Sequence, residues 1–197
     1  MFWDAVAGVY DIFANVINKR VNIALCTEVE KMISSSDKVL ECACGTGLLT
    51  KVIAKSCKNL VATDFSTNML KKARKNCKGL NNIEFRQCNI LQPEFDNESF
   101  DVVVAGNVIH LLDEPYKALS ELKRVCVRGG KIILPTYMNK GRNDAFISAM
   151  DSAGADFKRQ FTFNTYKLFF QEAGYENVEY EYIDGVVPCA IAVIINN

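Results

Sequence analysis

The sequence predicts an α/β domain built on a doubly wound, mostly parallel sheet. Short apolar runs alternate with helical patterns through the middle of the 197-residue chain, an order that is typical of parallel βαβ units. A chain of this length is expected to form one domain with a core large enough for stability. Seven runs are predicted to be strands: 38–42, 59–63, 83–88, 100–106, 131–137, 179–183 and 190–195.

The N-terminal segment, residues 1–35, has a helical pattern. Trp3, Val6, Tyr10 and Phe13 recur at intervals of three and four residues and define one apolar face. The segment is predicted either to pack on the domain or to cap a ligand site, and the pattern is the same in both cases.

A glycine turn follows the first strand. Gly45 and Gly47 lack a Cβ atom, so the backbone can turn sharply and approach a ligand before a helix predicted at 47–56. Asp64 closes the second strand about 20 residues further on, where its carboxylate can accept hydrogen bonds from ribose hydroxyls. A strand, a glycine turn, a helix and an acid in this order predict a nucleotide-cofactor site.

The residues that the turn lacks narrow the choice of cofactor. A dinucleotide site needs G-x-G-x-x-G, but Ala43 and Leu48 occupy the first and third glycine positions. The turn also lacks the Gly-Lys-Ser/Thr sequence of a nucleoside triphosphate site. Glu41, at the end of the first strand, would repel a phosphate and attract a cationic amino group. An adenosine that carries an amino-acid tail and no phosphate fits these facts, and S-adenosylmethionine is such a ligand.

Several segments, in the same order, resemble the class I methyltransferases, in particular the small-molecule group that includes the ubiquinone and menaquinone enzymes. Residues 41–47 are similar to the family's E/D-x-G-x-G-x-G, residues 64–70 to its D-x-S-x-x-M-L, and residues 101–130 to the segment from the fourth strand to the glycine pair before the fifth. The resemblance implies a Rossmann-like α/β/α sandwich with an antiparallel last strand. It also implies S-adenosylmethionine as cofactor and S-adenosylhomocysteine as product.

The resemblance assigns cofactor-binding residues. Tyr10 is expected to cover the methionine moiety of the cofactor. Phe65 and Met69 can pack on an adenine ring, although core packing explains them equally well. Cys42 and Cys44 flank the turn, so either could line the site, but packing is the favoured explanation for both. The expected cofactor-binding residues are Tyr10, Glu41, Ala43, Cys44, Gly45, Gly47, Asp64, Phe65, Met69, Asn89, Ile90 and Asn107.

Asn89 follows the third strand, where the family commonly has an Asp that accepts the adenine amino group. The amide oxygen of Asn89 can still accept this hydrogen bond, without the assistance of a charge. Ile90 would add an apolar contact.

The single histidine of the chain follows the fourth strand. Ligands bind outside the carboxyl ends of parallel strands, so residues 106–110 are expected to face the substrate. The sequence from Asn107 to His110 differs from the N/D-P-P-Y/F motif of enzymes that methylate amino groups of nucleic-acid bases, which disfavours that reaction. With an ordinary pKa of about 6.5, His110 is a candidate general base. A purely structural histidine is at least as good an explanation.

The remaining elements complete the predicted organisation. A helix begins at Pro115 and ends near Cys126, and Gly129-Gly130 form a turn into the fifth strand. A last helix, 165–173, is stopped by Gly174. One domain, 1–197, would comprise a helical cap (1–35), a cofactor-binding core (36–138), an acceptor-side insertion (139–164) and a C-terminal helix with a strand pair (165–197).

Composition limits the partners. The 23 Lys and Arg residues balance the 23 Asp and Glu residues, so nucleic acid is not expected as a partner. Apolar runs fall short of the ~20 residues of a membrane helix, and the N-terminus lacks the pattern of a signal peptide, so a cytoplasmic protein without a membrane partner is predicted. Eight cysteines without a C-x-x-C pair favour buried free thiols, and no metal site is expected.

The leading functional hypothesis is methyl transfer to an O, N, S or C atom of a small-molecule acceptor. The sulfonium already activates the methyl group, so in-line displacement mostly requires that the nucleophile is held in position. Two alternatives remain open. The protein could bind the cofactor and serve a non-catalytic regulatory or assembly role, or, less favoured, it could methylate RNA or protein.

Overall fold

The structure is a computed structural model that describes residues 17–140 and 157–197. Tyr10 and most of the predicted cap lie outside the described residues, as does most of the predicted acceptor-side insertion. The division of the chain into cap, core, insertion and C-terminal part remains a prediction.

Seven strands of the described residues form one sheet in the order β3-β2-β1-β4-β5-β7-β6. β7 is antiparallel to both of its neighbours, β5 and β6, and the other neighbouring strands are parallel. This topology confirms the predicted α/β fold with an antiparallel last strand. The strands are β1 (Lys38–Cys42), β2 (Asn59–Asp64), β3 (Ile83–Gln87), β4 (Phe100–Ala105), β5 (Cys126–Tyr137), β6 (Val178–Ile183) and β7 (Cys189–Ile195).

Helices cover both faces of the sheet. One buried cluster joins the sheet to α1, α2 and α3, and a second joins its other face to α4 and α5. Successive side chains of β4 point to opposite faces of the sheet: Val102 and Val104 belong to the first cluster, and Val103 belongs to the second. Both faces of this central strand are buried, so its residues are apolar on both sides. The helices of the described residues are α1 (Lys19–Lys31), α2 (Thr50–Ser56), α3 (Thr67–Asn76), α4 (Pro115–Val125) and α5 (Phe163–Glu172), with a 3₁₀ helix at Ile109–Leu111.

Three helix ends follow from capping chemistry that the sequence predicted. The Ser66 hydroxyl accepts a hydrogen bond from the Met69 N–H (3.1 Å) at the start of α3. Pro115 is the first residue of α4. Gly174 has a left-handed φ of +81° just after α5, which no L side chain adopts easily.

The structure corrects the predicted starts of three elements. α2 begins at Thr50 instead of residue 47, because residues 45–49 form the turn and Gly47 has a left-handed φ of +91°. β5 begins at Cys126 instead of residue 131, so Gly129 and Gly130 lie within the strand. There the pairing with β4 shifts register, with Phe100 opposite Cys126 and Val102 opposite Lys131. α5 begins at Phe163, two residues before the predicted start at residue 165.

Within residues 17–140 and 157–197, no helix combines the length and the apolar character needed to cross a membrane.

Candidate functional site

A cavity of about 340 Å³ lies at the carboxyl ends of β1, β2, β3 and β4. The volume is within the range of small-molecule sites. The strand order reverses between β1 and β4, and a crevice forms at such a switch point in open α/β sheets. Its described lining residues are Ala43, Gly45, Asp64, Phe65, Ser66, Met69, Cys88, Asn89, Ile90, Gly106, Asn107, Val108, Leu111 and Leu112.

The turn after β1 is shaped by left-handed residues. Ala43 and Gly45 both have a φ of +55°. A Cβ atom on Gly45 would meet no atom within 4 Å, so this part of the turn is open toward the cavity. A Cβ atom on Gly47 would lie 3.1 Å from Cys77 Sγ and 3.3 Å from Ala73 Cα, so glycine lets α3 pack closely against the turn. The left-handed conformation costs about 1–2 kcal/mol for a non-glycine residue such as Ala43.

Asp64 braces the turn and the next helix together. Its Oδ2 accepts a hydrogen bond from the Gly45 N–H, and its Oδ1 accepts one from the Ser66 N–H, both at 2.8 Å. The carboxylate is largely buried and lines the cavity. A carboxylate at this position is also a suitable acceptor for hydroxyl groups of a ligand.

Glu41 lies at the end of β1, behind the turn, and does not line the cavity. Its side chain is buried, and its Oε2 atom has no hydrogen-bond partner among the described residues. Burial raises the pKa of the Glu41 carboxyl to about 8, and the negative charge of Asp64 adds to the effect. The group is therefore mostly protonated at neutral pH. A buried carboxyl with an unused oxygen is suited to receive a donor group.

The end of the cavity near β2 and β3 is lined mainly by apolar side chains, with a polar residue at its rim. Phe65 lines the cavity and is 51% exposed, so core packing does not explain it. Met69 lines the cavity and is also buried in the core. Asn89 is exposed at the rim, and its Oδ1 accepts a hydrogen bond from the Leu91 N–H (3.0 Å). Ile90 is buried against the same space. A flat aromatic base would fit between such side chains.

The end of the cavity at β4 is lined mainly by small and aliphatic residues. Gly106, Val108, Leu111 and Leu112 form its wall, and Asn107 is the polar member. The backbone of Asn107 is left-handed, with a φ of +53°.

His110 is placed beside this wall and does not line the cavity. The ring is buried, 5.3 Å from the ring centroid of Phe157, and its Nδ1 has no hydrogen-bond partner in the described part of the chain. Burial lowers the pKa of His110 to about 4, so the imidazole is neutral near pH 7. The His110 carbonyl accepts a hydrogen bond from the Arg159 N–H (3.1 Å), so the described end of the predicted insertion packs on the 3₁₀ helix. A catalytic role for His110 remains a prediction.

The structure brings most of the predicted cofactor residues together. Eight of them line the cavity: Ala43, Gly45, Asp64, Phe65, Met69, Asn89, Ile90 and Asn107. Glu41, Cys44 and Gly47 do not line the cavity, and Tyr10 lies outside the described residues. Gly106 and Val108 also line it and belong to residues 106–110, which the sequence predicted to face the substrate. Lining residues that the sequence did not indicate are Ser66, Cys88, Leu111 and Leu112. Leu111 and Leu112 could have been predicted from the sequence, because they form an apolar pair directly after His110.

The charge of the described lining disfavours some ligands. Asp64 is the one formally charged residue in the described lining, which contains no Lys or Arg. A pyrophosphate would therefore meet a carboxylate without a compensating cation, whereas a neutral or cationic ligand would not be repelled. All eight cysteines lie in the described ranges and are free thiols. No cluster of His, Cys, Asp and Glu in those ranges is arranged to hold a metal ion.

Comparison with known proteins identifies relatives of this arrangement. A family described as a methyltransferase domain matches residues 40–134, from β1 to β5. Demethylmenaquinone methyltransferase from Clavibacter sepedonicus is 35% identical over 100 residues, which cover 51% of this chain and 41% of that protein. Phosphatidylethanolamine N-methyltransferase from Cereibacter sphaeroides is 32% identical over 124 residues, which cover 61% of this chain and 60% of that protein. The chain thus spans less than two thirds of the length of these two relatives.

The solved structure of a complex between DhpI and S-adenosylhomocysteine shares the fold. It superimposes with a TM-score of 0.70 at 18% sequence identity, covering 97% of this chain and 92% of that one.

Proposed function

We propose, from the premise that the chain belongs to the class I methyltransferases, that it transfers the methyl group of S-adenosylmethionine to an O, N, S or C atom of a small-molecule acceptor. The observation that carries the proposal is the cavity at the switch point of the sheet. It combines an open glycine turn, a ribose-type acid and an apolar space for a base. S-adenosylhomocysteine would be the product.

The residues present fit this cofactor. The site of Gly45 offers space for close approach of a ligand, and Asp64 lines the cavity with a carboxylate, the type of acceptor that ribose hydroxyls require. Phe65 and Met69 would hold the adenine, with Asn89 and Ile90 at its edge. Glu41 does not line the cavity, so its unused Oε2 would meet the ammonium group of the amino-acid tail through a bridging water. Ionisation of Glu41 would then accompany binding, because a nearby cation favours the carboxylate.

The chain's own residues would act mainly by orientation. When bound, the cofactor supplies an electrophilic methyl group. The wall formed by Val108, Leu111 and Leu112 would exclude water and hold the acceptor in line with that methyl group. The neutral imidazole of His110 is a candidate to hold a proton that leaves the acceptor, if the substrate brings the two into contact.

A small-molecule acceptor is supported by the character of the site. The wall at β4 is concave and largely apolar, as small-molecule sites are. The net charge of zero gives no general attraction for RNA. The two relatives described above are named for small acceptors, a demethylmenaquinone and a phosphatidylethanolamine. The free thiols, most of which are buried, support a reducing compartment such as the cytoplasm.

The activity is tested by incubation of the purified protein with methyl-labelled S-adenosylmethionine and a panel of hydroxylated, amino, thiol and activated-carbon compounds. Label in an organic-extractable product, with formation of S-adenosylhomocysteine, is expected. Cofactor binding without transfer to any compound of the panel would favour a regulatory role. Transfer to bulk RNA or protein, but not to the panel, would contradict the small-molecule assignment.

A further inference from the structure

Two glycines make the middle of the turn after β1 intrinsically permissive. Thr46 lies between Gly45 and Gly47, whose left-handed φ values are +55° and +91°. Glycine loses more conformational freedom than any other residue when its backbone is fixed. The turn therefore depends on contacts from other segments to keep one shape.

The end of α3 supplies such a contact. Asn76 is the last residue of α3, and its side-chain Nδ2 donates a hydrogen bond of 2.9 Å to the Thr46 carbonyl. The two residues are 30 positions apart in the chain, so the bond is a tertiary contact. It reaches the turn at the residue between the two glycines.

The Asn76 bond complements the bonds that β2 makes to the turn. The Cys44 N–H donates to the Thr63 carbonyl, and the Gly45 N–H donates to Asp64 Oδ2, both at 2.8 Å. Those two bonds hold N–H groups, whereas the bond from α3 holds a carbonyl. The peptide group before Gly45 and the peptide group after Thr46 are thus both fixed.

The restrained segment is part of the cavity. Gly45 lines the cavity, whereas Asn76 does not, so any effect of Asn76 on a ligand must pass through the turn. Rotation of the peptide group after Thr46 would change the path of the backbone at Gly45. A turn that is already ordered in the free protein lowers the entropy cost of binding.

The exposure of Asn76 separates this role from a role in stability. Its side chain is exposed to solvent, and alanine is a better helix former than asparagine at the end of α3. A hydrogen bond of this kind contributes modestly to folding, so the gain in helix propensity would offset its loss. Positioning of the turn therefore explains the bond better than stabilisation of the fold.

We propose that Asn76 is a positioning residue for the cofactor. Its side-chain amide holds the Thr46 carbonyl and so keeps the glycine turn in the conformation that binds S-adenosylmethionine. The inference rests on the proposed function, because it takes S-adenosylmethionine as the ligand of the turn.

The substitution Asn76→Ala removes the donor. The affinity for S-adenosylhomocysteine, measured by calorimetric titration, should fall by at least about threefold, because part of the binding free energy is then used to order the turn. The thermal midpoint should stay within about 2 °C of the wild-type value, because the helix propensity of alanine offsets the lost bond.

Asn82 provides the matched control. Its Nδ2 also donates to backbone carbonyls, those of Ala54 (2.7 Å) and Cys57 (3.1 Å). It directly precedes β3, at the edge of the sheet opposite the cavity. Asn82→Ala should lower the thermal midpoint and leave the affinity for S-adenosylhomocysteine within about twofold of the wild type. If that variant does not fold, Asn82→Ser, whose hydroxyl can still donate one bond, takes its place.

Hydrogen exchange of the turn amides gives a second readout without a ligand. In Asn76→Ala, the N–H groups of Gly45 and Gly47 should exchange at least about threefold faster than in the wild type, because the turn opens locally. In the Asn82 variant their exchange should match the wild type.

The proposal is overturned if Asn76→Ala binds S-adenosylhomocysteine less than threefold more weakly than the wild type, or if the Asn82 variant loses as much affinity. Turn amides that exchange in Asn76→Ala as they do in the wild type would also overturn it. Failure of the wild type to bind S-adenosylhomocysteine would instead contradict the proposed function, and the exchange rates would still show whether Asn76 orders the turn.

Discussion

The carboxylate of Asp64 accepts a hydrogen bond of 2.8 Å from the backbone N–H of Gly45, and so ties the end of β2 to the turn after β1. The acid that would receive the ribose also holds the glycine turn in place. The shape of the glycine turn and the proposed recognition of the ribose therefore both depend on the Asp64 side chain.

We expect Asp64→Ala to weaken binding of S-adenosylhomocysteine by more than about tenfold, because the ribose hydroxyls lose a buried acceptor. The N–H groups of Gly45 and Ser66 also lose their partner, so the free energy of unfolding should fall by about 1–3 kcal/mol. Calorimetry and urea denaturation measure the two effects separately. Unchanged affinity in a folded variant would show that the ribose acid is misassigned.

We expect the turn to accept glycine at position 43 and to reject a branched residue. Ala43 has a φ of +55°, so Ala43→Gly relieves about 1 kcal/mol of strain. The gain is offset by about 0.4–1 kcal/mol of added freedom in the unfolded chain, so the stability should change little. Ala43→Val should lower the free energy of unfolding by more than about 1 kcal/mol. Equal stability of wild type and Ala43→Val in urea would contradict the left-handed turn.

The buried Glu41 should make stability depend on pH. Burial raises its pKa to about 8, so between the ordinary value, about 4.3, and pH 8 the folded protein retains a proton that the unfolded chain releases. The contribution of Glu41 to stability is thus complete below about pH 4.3 and is lost as pH rises toward 8. Glu41→Gln should flatten this part of the curve of unfolding free energy against pH. Parallel curves for the two proteins would argue against a raised pKa.

The single histidine can be followed directly by NMR in untagged protein. Burial lowers the pKa of His110 to about 4, so its ring resonances should not titrate between pH 5.5 and 8. His110→Gln removes the resonances and confirms their assignment. A titration midpoint near the ordinary value of about 6.5 would mean that the ring is solvated, contrary to the structure.

The sequence predicted the fold well where local chemistry decides the structure. Ser66 and Pro115 mark helix starts by their own bonding and shape, and the apolar runs fixed all seven strands to within a few residues, apart from the start of β5. That start was missed because the pairing of Cys126 with Phe100 is a long-range contact, and two glycines next to it suggested a turn.

The candidate site was predicted in outline from its turn and acid. The motif predicted Gly45 and Asp64 for one cofactor site, and both line the cavity. It gave no sign that the Gly45 N–H donates to the Asp64 side chain. It also suggested that residues 106–110 face the substrate. The first three of them line the cavity, His110 is buried and does not, and its catalytic role stays a prediction. Burial and side-chain bonds across strands, such as Asn107 with Tyr137, arise only when distant segments are packed together.

The most direct test of the central claim is calorimetric titration of S-adenosylmethionine and S-adenosylhomocysteine into the purified wild-type protein. We predict that both bind at a single site with a Kd on the order of micromolar. Absence of binding by both compounds, in a sample that unfolds cooperatively, would contradict the assignment of the cavity as a methyltransferase cofactor site.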